Sequence, residues 1–386
     1  MSKDAIKEYI QMLWKRYQTA GKKDRSLILD ELVRNLEIHR KAAIRMMNKT
    51  APPKKRPGRK QIYSKVTFIL IANLWRQMGY MGSLKLKYAL ADWLPFFNDM
   101  RCTEKVRQEL LSMSVSTIER ALKPHRADLL RKKNTGTKPW HLKSLIPIKT
   151  FEGQYTEPGI MEGDTVAHCG GSLSGSFAWT LTVTDIFSNW TENRAVWNKA
   201  AGEVVAQIRD IENNLPFKIT KFSSDNGTEF INHQLKHELT RENRVNKVEF
   251  TRARAYRKND QCYVEQKNNT HVRELLGYGR IDNRDCIELM NDIYKNYWSI
   301  LQNYFVPQAK LKLKVRVGAR YKKQYFKPMT PSDRLIGSGI IPLEVKAMLD
   351  KTRRTINPFT LKAEMEVQLK KLRRMIESEP SIPIAS

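Results

Sequence analysis

The sequence predicts a multidomain chain: an α/β layered core preceded by two all-α, helix-turn-helix-type domains and followed by a basic C-terminal region with extended and helical parts. Three observations predict it. Residues 149–305 alternate strand-like and helix-like segments, whereas residues 1–50 and 63–148 keep helical apolar spacing. A basic stretch punctuated by proline and glycine, 51–62, separates the two helical domains. The charge is lopsided, with 69 Lys and Arg against 40 Asp and Glu and a net charge of +29.

A compact protein holds such an excess against its own repulsion unless a polyanion neutralises it, so nucleic acid is the leading partner. Ribosomal, chromatin and membrane-surface proteins share the imbalance, and charge alone says nothing of catalysis. A hydrophobic fraction of 41% excludes wholesale disorder. Cys102, Cys169, Cys262 and Cys286 lie far apart, without the spacing of zinc ligands, so no zinc is expected. Sparse cysteines suit a reducing cytosol. The apolar run 66–75 is too short to span a bilayer. The expectation is a cytoplasmic protein without a membrane partner, nucleoid-associated if the organism is bacterial.

In the first helical domain the apolar positions are Ile6, Ile10, Leu13 and Trp14, then Leu27, Leu29 and Leu32, then Ala43, Ile44 and Met47. The last helix, 39–49, carries Arg40, Lys41 and Arg45. Short basic helices in this order fit a helix-turn-helix or a small bundle with a solvated basic face. In the linker, Arg56, Arg59 and Lys60 face no acid; the segment fits an A·T-rich minor groove, a plain tether or a localisation signal.

The second helical domain repeats the pattern through Phe68, Ile69, Ile71, Ala72 and Trp75, then Leu84, Leu86, Ala89, Leu90 and Trp93. Near its end, Ser116 is placed to cap a helix that presents Arg120 and Lys123 and stops at Pro124, in the manner of a recognition helix.

Within the core, strands are expected over 160–169, 177–185, 190–197, 218–224 and 248–251, with a helix over 201–215 ended by Pro216. The succession is β-β-β-α-β-α-β-α-α. Beyond residue 306, Leu311, Leu313, Val315 and Val317 alternate with Lys310, Lys312, Lys314 and Arg316, as in a strand with one wet cationic face. Asn357-Pro358 reads as a helix cap with proline at the first helical position, and Leu361, Met365, Leu369, Leu372 and Ile376 form that helix's apolar stripe.

Three carboxylates stand out. Asp164 falls in the middle of the first strand, where an unpaired charge needs a cation, a strong hydrogen-bonding shell or an exposed edge. Asp225 follows a strand in the run Asp225-Asn-Gly-Thr-Glu-Phe230, and the carboxyl end of a strand is the usual ligand position in α/β sheets. Glu265 lies on a helix that Val264, Val272 and Leu275 can pack on the sheet. Three converging carboxylates repel one another until divalent metal neutralises them, and hard oxygen ligands suit Mg²⁺ or Mn²⁺. Two ions roughly 4 Å apart can activate a water or a 3′-hydroxyl against a phosphodiester. Read singly, each acid is equally a cap, a turn residue or a surface group.

In order and context, Asp164 in a first strand, the Asp225-Asn-Gly-Thr-Glu-Phe230 run and Val264-Glu265-x-x-Asn268 on a helix resemble the integrase-type catalytic core of DDE insertion-sequence transposases, an RNase H-like fold. The resemblance covers about residues 155–305. It implies Asp164, Asp225 and Glu265 as catalytic metal ligands holding two Mg²⁺ or Mn²⁺ ions. It also implies binding of transposon ends and target DNA, strand cleavage and strand transfer, and a homodimer or larger assembly. The interval from Asp225 to Glu265 is longer than the integrase pattern carries, and Asp260 fits the shorter interval. Glu265 is preferred for its Val-Glu-x-x-Asn setting, with Asp260 as a helix cap. Arg252, Arg254, Arg257 and Lys258 precede this helix and are expected at the DNA phosphates or in a solvated loop, with Lys267 a further DNA-orienting candidate. A nuclease on the same fold and a DNA-binding protein with an inactive core are the rival readings.

Overall fold

The computed structural model describes residues 3–48, 62–130, 156–198, 200–224, 238–240, 247–252, 262–318 and 320–378. The chain divides into two compact units, Met1–Ile62 and Tyr63–Ser386.

The first unit is three helices, α1 (Lys3–Thr19), α2 (Lys22–Leu36) and α3 (Arg40–Met47). Leu13, Leu29, Leu32, Ala43 and Met47 meet in its core together with Ile28. Leu27, expected inside, is 67% exposed. Successive helical residues turn by about 100°, so an inner stripe through positions 28, 29 and 32 leaves position 27 outside. The His39 ring caps α3, its Nδ1 accepting from the Lys41 amide at 3.2 Å.

In the second unit, α4 (Lys65–Gln77), α5 (Ser83–Trp93), α6 (Glu104–Ser112) and α7 (Val115–Leu130) come first. The reading of α7 needs two corrections. Its first turn is capped by Ser114, whose Oγ accepts from the Thr117 amide at 3.2 Å, rather than by Ser116. The helix also passes through Pro124 instead of stopping there. Pro124 lies on the exposed side, where water can satisfy the carbonyl that loses its amide partner.

The sheet follows: β1 (Ile160–Ala167), β2 (Ala178–Asp185), β3 (Thr191–Trp197), helix α8 (Ala201–Asn214), β4 (Lys221–Ser224) and β5 (Glu249–Arg252). The strand order is β3-β2-β1-β4-β5. β1, β2 and β3 run antiparallel, whereas β4 and β5 pair parallel on the other side of β1. The alternation of strand residues divides the sheet into two chemically different faces. Met161, Leu181, Val183, Val196 and Phe222 pack against Val204, Ile208 and Ile211 of α8 in one apolar core. The other face carries Glu162, Asp164, Thr180, Thr182, Thr184, Thr191 and Asn193, as the pairs Glu162↔Thr184, Asp164↔Thr182, Thr182↔Asn193 and Thr184↔Thr191 require.

Helix α9 (Cys262–Lys267) covers that polar face and continues through a wider π turn (Asn268–Arg273) and a last helical turn (Glu274–Leu276). Next comes α10 (Cys286–Asp292), prolonged by π turns over Ile293–Trp298 and Leu301–Phe305. A two-stranded ribbon of β6 (Leu311–Val317) and β7 (Arg320–Tyr325) leads to α11 (Pro331–Ser338), α12 (Leu343–Thr355) and α13 (Pro358–Glu377). Asn357 caps α13 as its sequence predicts, with Oδ1 accepting from the Phe359 amide at 3.0 Å.

The segments read as a second helical domain, a core and a C-terminal region share one hydrophobic cluster. It runs from Leu70, Trp75 and Trp93 through Tyr294 and Phe305 to Leu361 and Leu372. Trp93 joins them, its Nε1 donating to the Phe305 carbonyl at 2.9 Å and its ring meeting Phe359 edge-on at 4.8 Å. Arg353 of α12 ties the same helices by charge. It lies 3.7 Å from Asp92 of α5, pairs with Asp333 of α11, and meets Asp350 at 3.1 Å.

Candidate active site on the central strand

Glu162 and Asp164, two residues apart on β1, point to the same face and hold the same helix. Glu162 is fully buried, and its Oε2 accepts from the Tyr263 and Val264 amides at 3.1 and 3.0 Å. These are orphan donors in the first turn of α9, where a carboxylate is favoured by both hydrogen bonding and the helix dipole. One turn on, Asn268 Nδ2 donates to Asp164 Oδ2 at 2.6 Å. Further along, Arg273 Nη2 reaches the Ala167 carbonyl at 2.9 Å. These contacts lay the helix along β1 in the strand's own direction.

Asp164 itself is half-buried, and its Oδ1 accepts from the Thr165 amide at 2.7 Å. Glu265 is exposed on α9, three residues before Asn268 and therefore on the same side of the helix. Asn268 Oδ1 is buried and, among the described residues, has no hydrogen-bond partner. The parallel ladder between β1 and β4 ends at Gly163↔Ser224, one residue before Asp164 on β1. Asp225 and Asp260 lie outside the described residues. Among those described, no group of three or more His, Cys, Asp or Glu is arranged to hold a metal ion.

Gly163 makes the local packing possible. A Cβ there would stand 2.5 Å from Phe222 Cζ and 2.8 Å from Cε1, closer than real contacts allow. Only glycine lets the Phe222 ring lie against β1 on the face opposite Asp164. On the polar face, Asn193 Nδ2 donates to Thr182 Oγ1 at 3.0 Å, and the Thr184 and Thr191 hydroxyls meet at 3.1 Å. His168 joins Thr180 Oγ1 at 2.7 Å and is pushed down to about 4, first by burial and then by Arg273. It is a buried neutral imidazole in a structural chain that continues to the Tyr294 hydroxyl at 2.9 Å.

Arg40, Lys41 and Arg45 are exposed on α3, and Arg120 and Lys123 on α7. Arg40 is also paired with Asp30 and with Ser26 Oγ, the latter at 2.7 Å. Arg56, Arg59, Lys60, Arg254, Arg257 and Lys258 lie outside the described residues; Arg252 ends β5, its side chain likewise outside them. Lys267 requires a correction. It is only 6% exposed, and its Nζ donates to Gln308 Oε1 instead of facing DNA. Burial, with Lys85 and Arg334 nearby, holds its amino group well below the usual lysine range. The physical reason is position: Val264, Lys267 and His271 fall on the inward stripe of the helix.

Glu162 was not singled out from sequence. Its signal is the two-residue spacing to Asp164, which puts both acids on one face of a strand. A second missed signal is the alternation Thr180, Thr182, Thr184, which marks that face as polar.

The mixed five-stranded sheet thus carries one carboxylate on its central strand, and the helix that runs along that strand carries a second. Residues 154–257 match the family model described as the integrase core domain, a span that includes Asp164 and Asp225 and ends before Glu265. The chain belongs to the same family as the "Uncharacterized protein y4rM" of Sinorhizobium fredii (strain NBRC 101917 / NGR234). The two are 33% identical over 333 residues, covering 84% of this chain and 93% of the relative. Among solved structures, a chain of the simian T-cell lymphotropic virus intasome in complex with PP2A regulatory subunit B56 gamma is similar at 13% identity. It covers 59% of this chain and 84% of that one with a TM-score of 0.31, too loose a superposition to inform the fold. No helix among the described residues is long and apolar enough to cross a membrane.

Proposed function

We propose that the protein is a transposase that binds transposon ends, cleaves one strand at each, and joins the freed 3′-hydroxyl to target DNA. The observation that carries this reading is the convergence on one sheet position of Asp164 and, through Asn268, the helix bearing Glu265. The integrase core match supports it.

The donor chemistry fits a hard divalent ion: the carboxylates of Asp164, Asp225 and Glu265 offer only oxygen, and Asn268, whose Nδ2 meets Asp164, has a buried Oδ1 without a partner among the described residues. When bound there, two Mg²⁺ or Mn²⁺ ions supply activation of the attacking oxygen and stabilisation of the leaving one. The chain's own residues set the geometry. Asn268 fixes one Asp164 oxygen and the Thr165 amide the other. Glu162 pins the first turn of α9 and so the height of Glu265 above the sheet. No protein nucleophile is needed.

DNA contacts are assigned to Arg40, Lys41 and Arg45 on α3, Arg120 and Lys123 on α7, the linker cations Arg56, Arg59 and Lys60, and Arg252, Arg254, Arg257 and Lys258 before α9. Holding paired ends calls for a homodimer or larger assembly.

The test is a strand-transfer assay with Mg²⁺ or Mn²⁺, using duplex ends taken from any inverted repeats that flank the coding region. Joined product that disappears in Asp164→Asn, Asp225→Asn and Glu265→Gln supports the reading. Cleavage without joining makes the protein a nuclease, and specific binding with neither makes it a DNA-binding protein with an inactive core. Loss in Asp260→Asn with full activity in Glu265→Gln moves the third ligand to Asp260.

A further inference from the structure

The β6–β7 ribbon stands out from the packed body of the second unit. Leu313, Val315 and Val317 of β6 are 48%, 45% and 60% exposed, and every residue of β7 is exposed. The sequence predicts one wet face on β6; the structure leaves both faces of the ribbon open. Two strands alone are marginal in water. The strands also carry Lys312, Lys314, Arg316, Arg320, Lys322 and Lys323 without a single acid. Arg316 pairs in register with Tyr321, and Val317 with Arg320, so cations occur on both faces. Docking this ribbon on a second copy of itself would bring like charges together. A polyanion relieves them.

The foot of the ribbon is firmly held. The Gln308 amide donates to the Met329 carbonyl at 2.9 Å, and the Phe326 amide to the Lys310 carbonyl at 2.8 Å. Lys310 Nζ donates to the Phe187 carbonyl at 2.8 Å, and Arg334 Nη1 to the Ser188 carbonyl at 2.9 Å, both in the turn between β2 and β3. Gln308 Oε1 accepts from Lys267, two residues after Glu265 on α9. The buried lysine therefore ties the foot of the ribbon to the helix of the candidate active site.

We propose that the β6–β7 ribbon is a duplex-DNA arm that lies in a groove and contacts phosphates through its arginines and lysines, its foot fixing the spacing between that groove and Glu265. A major groove about 12 Å wide admits a two-stranded ribbon. The contacts are to backbone phosphates, so the arm positions DNA without choosing its sequence. The inference rests on the DNA-processing reading above and names the element that holds the substrate.

The experiment measures binding of the full chain to a short duplex of mixed sequence, by fluorescence anisotropy between about 50 and 200 mM salt. Each lost phosphate contact removes about 0.9 from the slope of log affinity against log salt. The variant Arg316→Ala/Arg320→Ala/Lys322→Ala/Lys323→Ala is expected to bind at least about 10-fold more weakly, with a slope shallower by about 2 to 4. If it fails to fold, Arg316→Ala and Lys322→Ala singly carry the same test, with a change of about 0.9 each. Unchanged affinity and slope overturn the proposal. So does an unchanged slope with a lower sedimenting mass, which would make the ribbon a self-association element. A ribbon-dependent slope in a protein that joins no DNA leaves the arm standing and sinks the transposase reading; joining with a ribbon-independent slope does the reverse.

Discussion

Asn268 Nδ2 donates to Asp164 Oδ2 at 2.6 Å, and this bond joins the helix of one candidate ligand to the strand of another. A partner that orients a metal-ligating carboxylate commonly matters by about 10–100-fold in metal affinity or activity. Asn268→Ala is therefore expected to lower Mg²⁺-dependent joining by about that factor while the melting temperature stays nearly constant. Wild-type joining by this variant would remove Asn268 from the positioning of Asp164.

Gly163→Ala tests the packing beneath the site. With Phe222 Cζ 2.5 Å from the new methyl, either β1 or the ring must shift. The expected cost is about 1–3 kcal/mol in urea unfolding. Gly163→Ala/Phe222→Leu should recover part of it, and equal costs for the single and double variants would show that the clash lies elsewhere.

Asp92 gives the protein a defined pH dependence. Its carboxyl is pushed up to about 6 by burial and by the Asp333 carboxylate, against the pull of Arg353, which three carboxylates share. An unfolded aspartate titrates near 4, so the folded state binds the proton more tightly. The stability this group contributes is complete below about pH 4 and is lost as pH rises through about 6. Asp92→Asn should then be more stable than the parent by about 1–3 kcal/mol at pH 7, the two converging below about pH 4. Parallel melting curves across that range would contradict the assignment.

Lys267→Met separates a buried lysine from a DNA-facing one. Its amino group is out of reach of solvent phosphates, so the salt slope of duplex binding should remain that of the parent. A slope shallower by about 0.9 would restore Lys267 to the DNA surface.

Much of the core is legible in the sequence because strand-forming residues cluster between turn signals. β2 falls in the stretch 177–185, rich in β-branched and aromatic residues, β1 and β3 fall on either side of it where strands are expected, and Asp164 sits inside β1 as expected. Residue type misleads where tertiary packing decides. Lys267 reads as a surface cation, yet its place on the inward stripe of α9 outweighs its charge. Pro124 reads as a stop, although a proline on the wet side of a helix breaks little. The shared cluster from Leu70 to Leu372 was not legible at all, since periodicity shows that a helix has an apolar face and not which distant helix covers it.

That shared cluster also orders the birth of the molecule. The Trp93 to Phe305 bond closes a span of 212 residues, and Phe359, which meets the same indole, is synthesised later still. While the ribosome works through the sheet, α4, α5 and α6 present an apolar surface with no cover, a state in which chains aggregate or recruit chaperones. A polypeptide released before α13 would lack the residues that close over Trp93. Only a chain translated through α13 can complete the second unit, so the cover over Trp93 arrives long after the surface it closes.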